Sequence, residues 1–277
     1  MGDMAGLKDN LKAAYPVAVT LLMVWVFTLI PVEHQPQPII TPIPETGGSV
    51  EEAILDPAPY FNTLIVIAVM TVGGVVVVVL LRRPSILKIL GTILIAITAY
   101  STTTYHLLIL TQTPLWAILI MAGLVTSWVI VAVLRIGGWL AVLASAYVGS
   151  SAGAIIGESI PYWTAIILIL AASGYDLLAV SIGPLKALGR PDVGSIPGFM
   201  VDFAGMSIGM GDLFFYSITQ SFTLTRLGVL PGFFAALGVF TGFLVTAHLA
   251  SKRKIVAGLP IPLPLSLALA FLATLLH

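Results

Sequence analysis

The stretch SIGMGDLFFYS, residues 207–217, decides how this chain is interpreted, because it places the acidic Asp212 just inside a run of apolar residues. A second stretch, LAASGYDLLAVS at residues 170–181, does the same with Asp176. A charged side chain at the centre of a lipid-facing helix costs about 3 kcal/mol or more. We therefore expect both carboxylates to face the protein interior, toward water or toward each other.

The composition indicates a polytopic membrane protein. Of the 277 residues, 58% are hydrophobic and only 9% are charged, and the mean hydropathy is +1.08. Twelve basic and twelve acidic residues cancel, so the charge gives no sign of a nucleic-acid partner, and none is expected. The chain has no cysteine, which excludes disulfides, thiolate metal sites and cysteine nucleophiles.

Nine apolar runs have the length of a membrane span, since a bilayer core about 30 Å thick is crossed by roughly twenty helical residues. We therefore predict an all-α protein with nine transmembrane helices. The valines at 75–79 are predicted to be helical, because an isolated strand cannot satisfy its backbone in lipid. The first run is expected to be a retained span and not a cleaved signal peptide. The predicted spans are 11–31, 59–81, 85–106, 114–134, 137–157, 161–183, 205–225, 231–250 and 256–276.

The distribution of basic residues predicts the orientation, since lysine and arginine in short loops prefer the cytoplasmic side. With a cytoplasmic N-terminus, every basic residue except Arg226 lies on that side, and the acidic loops lie opposite. This pattern predicts a cytoplasmic N-terminus and an external C-terminus. It also agrees with an odd number of spans.

Two connections stand apart from the helices. The acidic, proline-rich segment 33–59 is expected to be an external loop with a short helix at 50–55. The segment 184–204 mixes glycine, proline and charges of both signs, so it is predicted to act as a lid or strand-forming flap.

The two aspartates are predicted to lie at matched depth on antiparallel neighbours. With 1.5 Å of rise per residue, Asp176 lies about 12 Å from the cytoplasmic end of span six, and Asp212 lies roughly 10 Å from the same end of span seven. Two carboxylates at short separation share one proton, because both do not ionise easily. One can then activate a water while the other protonates a carbonyl oxygen, as in an aspartic protease. Two unrelated structural aspartates are the alternative.

Three motifs resemble those of presenilins and signal peptide peptidases, the intramembrane aspartyl (GxGD) proteases. GYDLL at 174–178 and GMGDLFFYS at 209–217 resemble the YD and GxGD motifs, and LPIPLPLSLALAF at 259–271 resembles the PAL segment. The residues of these motifs are most similar to those of a microbial, archaeal presenilin homologue. In the PAL-like segment this chain departs from Pro-Ala-Leu-Pro, since it reads Ile261-Pro262-Leu263-Pro264.

The resemblance implies an endopeptidase that cleaves transmembrane helices with Asp176 and Asp212 as catalytic residues, without cofactor or metal. Segment 158–277 would be the catalytic core and 1–157 the scaffold of one membrane domain, 1–277. The partners would be transmembrane-helix substrates in the lipid bilayer of the cell membrane, and a homo-oligomer is left open. The implied substrate-binding residues are Tyr175, Gly209, Gly211, Pro262, Leu263 and Pro264.

Each of these neighbours also has a plain packing explanation. Gly209 and Gly211 are typical of close helix packing as well as of substrate approach, and Tyr175 is as readily a packing residue. The prolines predict irregular backbone at the start of span nine, which could bind an unwound substrate as an added strand or could simply bend the helix.

Other functions remain open at this level. A proton-coupled transporter could also use two buried acids, but it would predict inverted repeats with broken helices in both halves, and the sequence shows none. A preflagellin- or prepilin-type peptidase shares the chemistry but has fewer spans and lacks the prolines of span nine. A non-enzymatic scaffold protein would leave the two aspartates without a function.

Overall fold

The computed structural model describes residues 11–29, 41–46, 48–181, 198–252 and 256–276. Across these ranges the chain is mainly helical, and seven helices are long and apolar enough to cross a membrane. The protein is therefore an all-α polytopic membrane protein. Nine spans and the side of each terminus stay predictions, because two of the nine expected helices are short, with 17 residues and 13 residues.

The helices and strands follow one another in a simple order. A π-helical turn, Ala132–Ile136, follows the helix Leu115–Val131. The elements are α1 (Tyr15–Thr28), α2 (Val50–Leu55), α3 (Ala58–Leu80), α4 (Pro84–Leu110), α5 (Leu115–Val131), α6 (Gly138–Ser159), α7 (Tyr162–Ser181), β1 (Met200–Phe203), β2 (Met206–Gly209), α8 (Met210–Arg226), α9 (Val229–Lys252) and α10 (Pro262–Thr274).

The short helix expected at 50–55 is confirmed as α2. Ser49 accepts a hydrogen bond from the Glu52 amide, and the Glu52 carboxylate accepts one from Ser49, which together form a capping box. The amides of Gly48 and Ser49 hold the pKa of Glu52 below its usual range. The helical prediction for the valines at 75–79 is also confirmed, because they lie within α3.

A β-hairpin precedes α8, and it corrects the predicted start of span seven. Residues 205–209 were expected to be helical, but Ala204 and Gly205 have positive φ angles of 50° and 81° and reverse the chain. β2 then pairs antiparallel with β1, with Met200 opposite Gly209. The predicted flap is thus a strand over Met200–Phe203, whereas residues 184–197 lie outside the described ranges.

Aromatic side chains fix the hairpin to the bundle. The ring of Phe203 lies 5.0 Å from that of Trp139 on α6 and 6.2 Å from that of Tyr15 on α1. At the other end of the hairpin, Gly198 lies so close to Gly91 of α4 that an added Cβ would be 2.9 Å from its carbonyl carbon. The hairpin that leads to Asp212 is therefore held by three helices.

Helix α8 is the buried centre of the fold. Residues 215–224 are all buried, although many of them are polar. Helix α6 packs against them through Gly149, Gly153 and Gly157, where an added Cβ on Gly153 would lie 2.9 Å from the Phe214 carbonyl oxygen. Such small residues let two helix backbones approach closely within a membrane.

Polar side chains of the segment STTTY, residues 101–105, form hydrogen bonds between helices. Thr103 Oγ1 lies 2.6 Å from the Tyr147 hydroxyl of α6, and Ser151 donates to Thr102 at 2.9 Å. These contacts join α4 to α6 next to an apolar cluster formed by α4, α5 and α6.

The loop before α2 is fastened to the start of α7, which the sequence did not predict. Glu45 accepts hydrogen bonds from the amides of Thr164 at 2.5 Å and Trp163 at 3.1 Å. Asn62 of α3 binds both the amide and the carbonyl of Ile43 and also contacts the Thr164 hydroxyl. We call this group the Glu45 clasp. It supplies acceptors for amides that a helix N-terminus leaves without intrahelical partners.

Candidate active site

Asp212 lies in the first turn of α8, because the hairpin delays the start of the helix to Met210. The expectation that Asp212 lies roughly 10 Å inside span seven is therefore wrong. A carboxylate in the first turn is stabilised by the helix dipole and by amides that lack intrahelical partners. The hairpin and the first turn of α8 thus present this side chain at a fixed point of the chain.

Asp176 lies on α7, five residues from the end of that helix at Ser181. Its Oδ2 atom accepts a hydrogen bond of 2.9 Å from the amide of Leu259, in the segment between α9 and α10. The same carboxylate also interacts with the backbone of Gly258. Within the part of the chain that the structure describes, Asp176 is therefore held by main-chain donors.

Gly258 lies against the other carboxylate. A Cβ added to it would overlap Oδ2 of Asp212 and would lie 2.6 Å from Cγ of that residue. The two adjacent residues Gly258 and Leu259 thus contact Asp212 and Asp176 respectively. The structure therefore brings together the two aspartates that the sequence singled out.

Two further side chains reach the same segment. The hydroxyl of Tyr216, on α8, donates to the Gly258 carbonyl at 2.8 Å. The hydroxyl of Ser173, on α7, lies 3.5 Å from the Leu259 carbonyl. Neither side chain, nor Gly258 and Leu259 themselves, was identified from the sequence. The signal that could have found the segment is a glycine followed by Leu259-Pro260, directly before the prolines of α10.

The PAL-like segment lies in a different register from the expected one. Pro262, Leu263 and Pro264 form the first turn of α10, where proline is tolerated because the first amides have no helical partner anyway. Pro262 packs on Gly242 of α9, and Leu263 is fully buried. The irregular backbone expected at these prolines lies instead just before them, and the contacts with the carboxylates come from Gly258 and Leu259.

The remaining expected residues surround the pair. Gly209 is the N-cap of α8, and a Cβ on it would lie 3.3 Å from Oδ2 of Asp212. Gly211 is exposed and has open space where a Cβ would be. Tyr175 is half-buried, and its hydroxyl lies 3.5 Å from the Cβ position of Gly74 on α3. Tyr175 therefore lines the contact between α3 and α7.

His106 lies outside this site. His106 is buried on α4, where its ring stacks on Phe27 at a centroid distance of 4.5 Å. In the described ranges, no cluster of three or more His, Asp or Glu side chains could hold a metal ion. The chemistry available at the site is that of two carboxyl groups with backbone donors.

The fold is that of the presenilin-family intramembrane aspartate proteases. One solved structure of such a protease, in space group C222, superposes with a TM-score of 0.58 at 19% identity, over 98% of this chain and 99% of that one. Another, in space group P2, gives a TM-score of 0.56 at 20% identity, over 97% and 95%. No family sequence model and no curated protein sequence matches the chain. At this identity the likeness shows a shared fold.

Proposed function

We propose that this protein is an intramembrane aspartic endopeptidase, which hydrolyses peptide bonds within transmembrane helices with Asp176 and Asp212. The observation that carries the proposal is the convergence of both carboxylates on the single segment Gly258–Leu259. Two acids from different helices that meet at one backbone segment, with no basic partner in the described contacts, fit a shared-proton pair. The shared fold supports the same activity.

The mechanism follows from the single shared proton. The ionised carboxylate removes a proton from a water molecule, whose oxygen attacks the scissile carbonyl carbon, while the protonated partner donates to the carbonyl oxygen. A tetrahedral diol forms. It collapses when the amide nitrogen takes a proton from the first carboxyl group, the second carboxylate takes back a proton from a diol hydroxyl, and the C–N bond breaks to release the amine. The backbone donor at Leu259 holds Asp176 in place through this exchange.

The substrate has to be extended at the cleavage point, because a helical peptide bond is shielded by its own hydrogen bonds. The hairpin β1–β2 leads directly into the helix that carries Asp212, and the irregular segment before α10 contacts both aspartates, so each could pair with an unwound substrate. Gly209 and Gly211 leave room beside Asp212, and Tyr175 would border the entering chain. We assign substrate contact to these groups. Pro262, Leu263 and Pro264 would act by supporting the segment before them.

The remaining assignments follow from the same proposal. Helices α7 to α10 would form the catalytic core and the earlier helices its scaffold, within one domain. Single-span membrane proteins would be the substrates. The cell membrane would be the site of action.

A cleavage assay tests the proposal. The purified protein in detergent is incubated with a synthetic transmembrane peptide, and the products are identified by mass spectrometry. The native chain is expected to cut within the apolar segment, and Asp176→Asn and Asp212→Ala are expected not to cut. No cleavage by the native chain, or unchanged cleavage by either variant, rejects the protease. A transporter would leave the peptide intact.

A further inference from the structure

Tyr216 is a fully buried tyrosine one turn beyond Asp212 on α8. A buried phenol needs a hydrogen-bond partner, since an unsatisfied buried hydroxyl is costly. Its hydroxyl donates to the carbonyl of Gly258, which lies 42 residues further along the chain. The partner thus belongs to the segment that contacts both aspartates.

The bonded atoms belong to one peptide group. The carbonyl oxygen of Gly258 and the amide hydrogen of Leu259 lie on the same planar unit and point in opposite directions. Tyr216 holds the oxygen end at 2.8 Å, and Asp176 accepts from the amide end at 2.9 Å. Fixing the carbonyl direction therefore fixes the direction of the amide. A donor on the carbonyl also strengthens the amide as a donor through polarisation.

The same peptide group starts at the Cα atom that lies against Asp212. Because a Cβ on Gly258 would overlap that carboxylate and the Leu259 amide donates to Asp176, one peptide group contacts both acids. Rotation of this plane would withdraw the amide from Asp176. It would also change the space beside Asp212.

We propose that Tyr216 is a positioning residue, whose hydroxyl orients the Gly258–Leu259 peptide and thereby aligns Asp176 with Asp212. This inference rests on the proposed function. The ring itself would pack equally well as phenylalanine, as Phe222 does six residues further along the same buried helix. The hydroxyl is the part that acts on the site.

The test compares Tyr216→Phe with a matched variant, Tyr147→Phe. The Tyr147→Phe variant also loses a short hydrogen bond, the one to Thr103. That bond joins α4 to α6 and involves neither aspartate. For both variants we measure kcat and KM on a transmembrane peptide, the unfolding temperature in detergent, and hydrogen exchange of the amides at 256–261. We expect kcat of Tyr216→Phe to fall about 10- to 100-fold, as for a small displacement of catalytic groups.

Two further results are expected for Tyr216→Phe. KM stays within about twofold, because substrate contacts are unchanged, and exchange rises at the Leu259 amide but not across the rest of α8. Tyr147→Phe retains native kcat. A hydroxyethylene peptide isostere, whose tetrahedral hydroxyl binds between two carboxyl groups, should lose affinity in parallel with kcat.

Several outcomes overturn the inference. A native kcat in Tyr216→Phe, or unchanged exchange at Leu259, removes the positioning role while leaving the protease proposal intact. Exchange that rises through the whole chain, with a matching fall in unfolding temperature, shows that the hydroxyl serves stability only. If the native chain cleaves no peptide, the proposed function fails, and the positioning role fails with it.

Discussion

At Gly258, the Asp212 carboxylate occupies the space that a side chain would need. The Cα of Gly258 faces Asp212 so closely that any Cβ would overlap a carboxylate oxygen. The obstacle is the carboxylate of Asp212, a short side chain in the first turn of α8. A larger residue would therefore have to move either Asp212 or the segment before α10.

Replacing Gly258 by alanine should accordingly abolish cleavage while the fold survives. We expect the cleavage rate to fall at least about 100-fold, because the carboxyl group leaves its working position. Gly123→Ala on α5 is the control, since a Cβ there meets no atom within 4 Å. That variant should retain native activity. Full activity in Gly258→Ala would contradict the close approach of these two residues.

At the scale of elements, the site depends on where α7 and α8 begin and end. Helix α8 is placed by the hairpin at its N-terminus and by the glycines of α6 along its length. Helix α7 is placed at its N-terminus by the Glu45 clasp, which reaches it from a loop more than a hundred residues earlier. The clasp lies at the opposite end of α7 from Asp176, so its effect on the site is indirect.

Removing the clasp should cost stability more than chemistry. Glu45→Ala leaves the amides of Trp163 and Thr164 without their acceptor, and we expect a loss of about 1–2 kcal/mol in unfolding free energy. Denaturant unfolding in detergent measures it. Glu51→Ala, at an exposed position of α2, is the control and should change stability little. Equal stability of the two variants would show that the clasp is not formed.

Helix positions were predictable from the sequence, whereas contacts between distant segments were not. Apolar length and proline positions gave α3, α4 and α9 to within a few residues, because lipid leaves the backbone no alternative to helix. The strand β2 was missed because a strand of four residues depends on its partner β1. Gly258 was missed because its role arises only when α7, α8 and the segment before α10 meet.

On the scale of the whole molecule, the bundle is asymmetric. Helices α1, α6, α7, α9 and α10 surround α8, while α3 is largely exposed and only 6% of its apolar window is buried. In the described part of the chain, this distribution does not show two related halves. The side of the membrane on which each terminus lies is predicted from the basic residues alone.

Labelling of single cysteines tests this orientation, since the chain contains no cysteine of its own. Gln112→Cys, in the exposed loop between α4 and α5, should react with a membrane-impermeant thiol reagent on intact cells. Arg83→Cys, in the exposed turn between α3 and α4, should react only after lysis. The reverse pattern would invert the predicted orientation.

The central claim is that Asp176 and Asp212 act as one unit, and single-turnover cleavage of a transmembrane peptide tests it most directly. Each of Asp176→Asn and Asp212→Asn should lower the rate at least about 1,000-fold, and the double variant should lose no more than either single one, because residues that act together are not additive. If either single variant keeps more than about a tenth of the native rate, or if the two losses multiply in the double variant, the paired mechanism is contradicted.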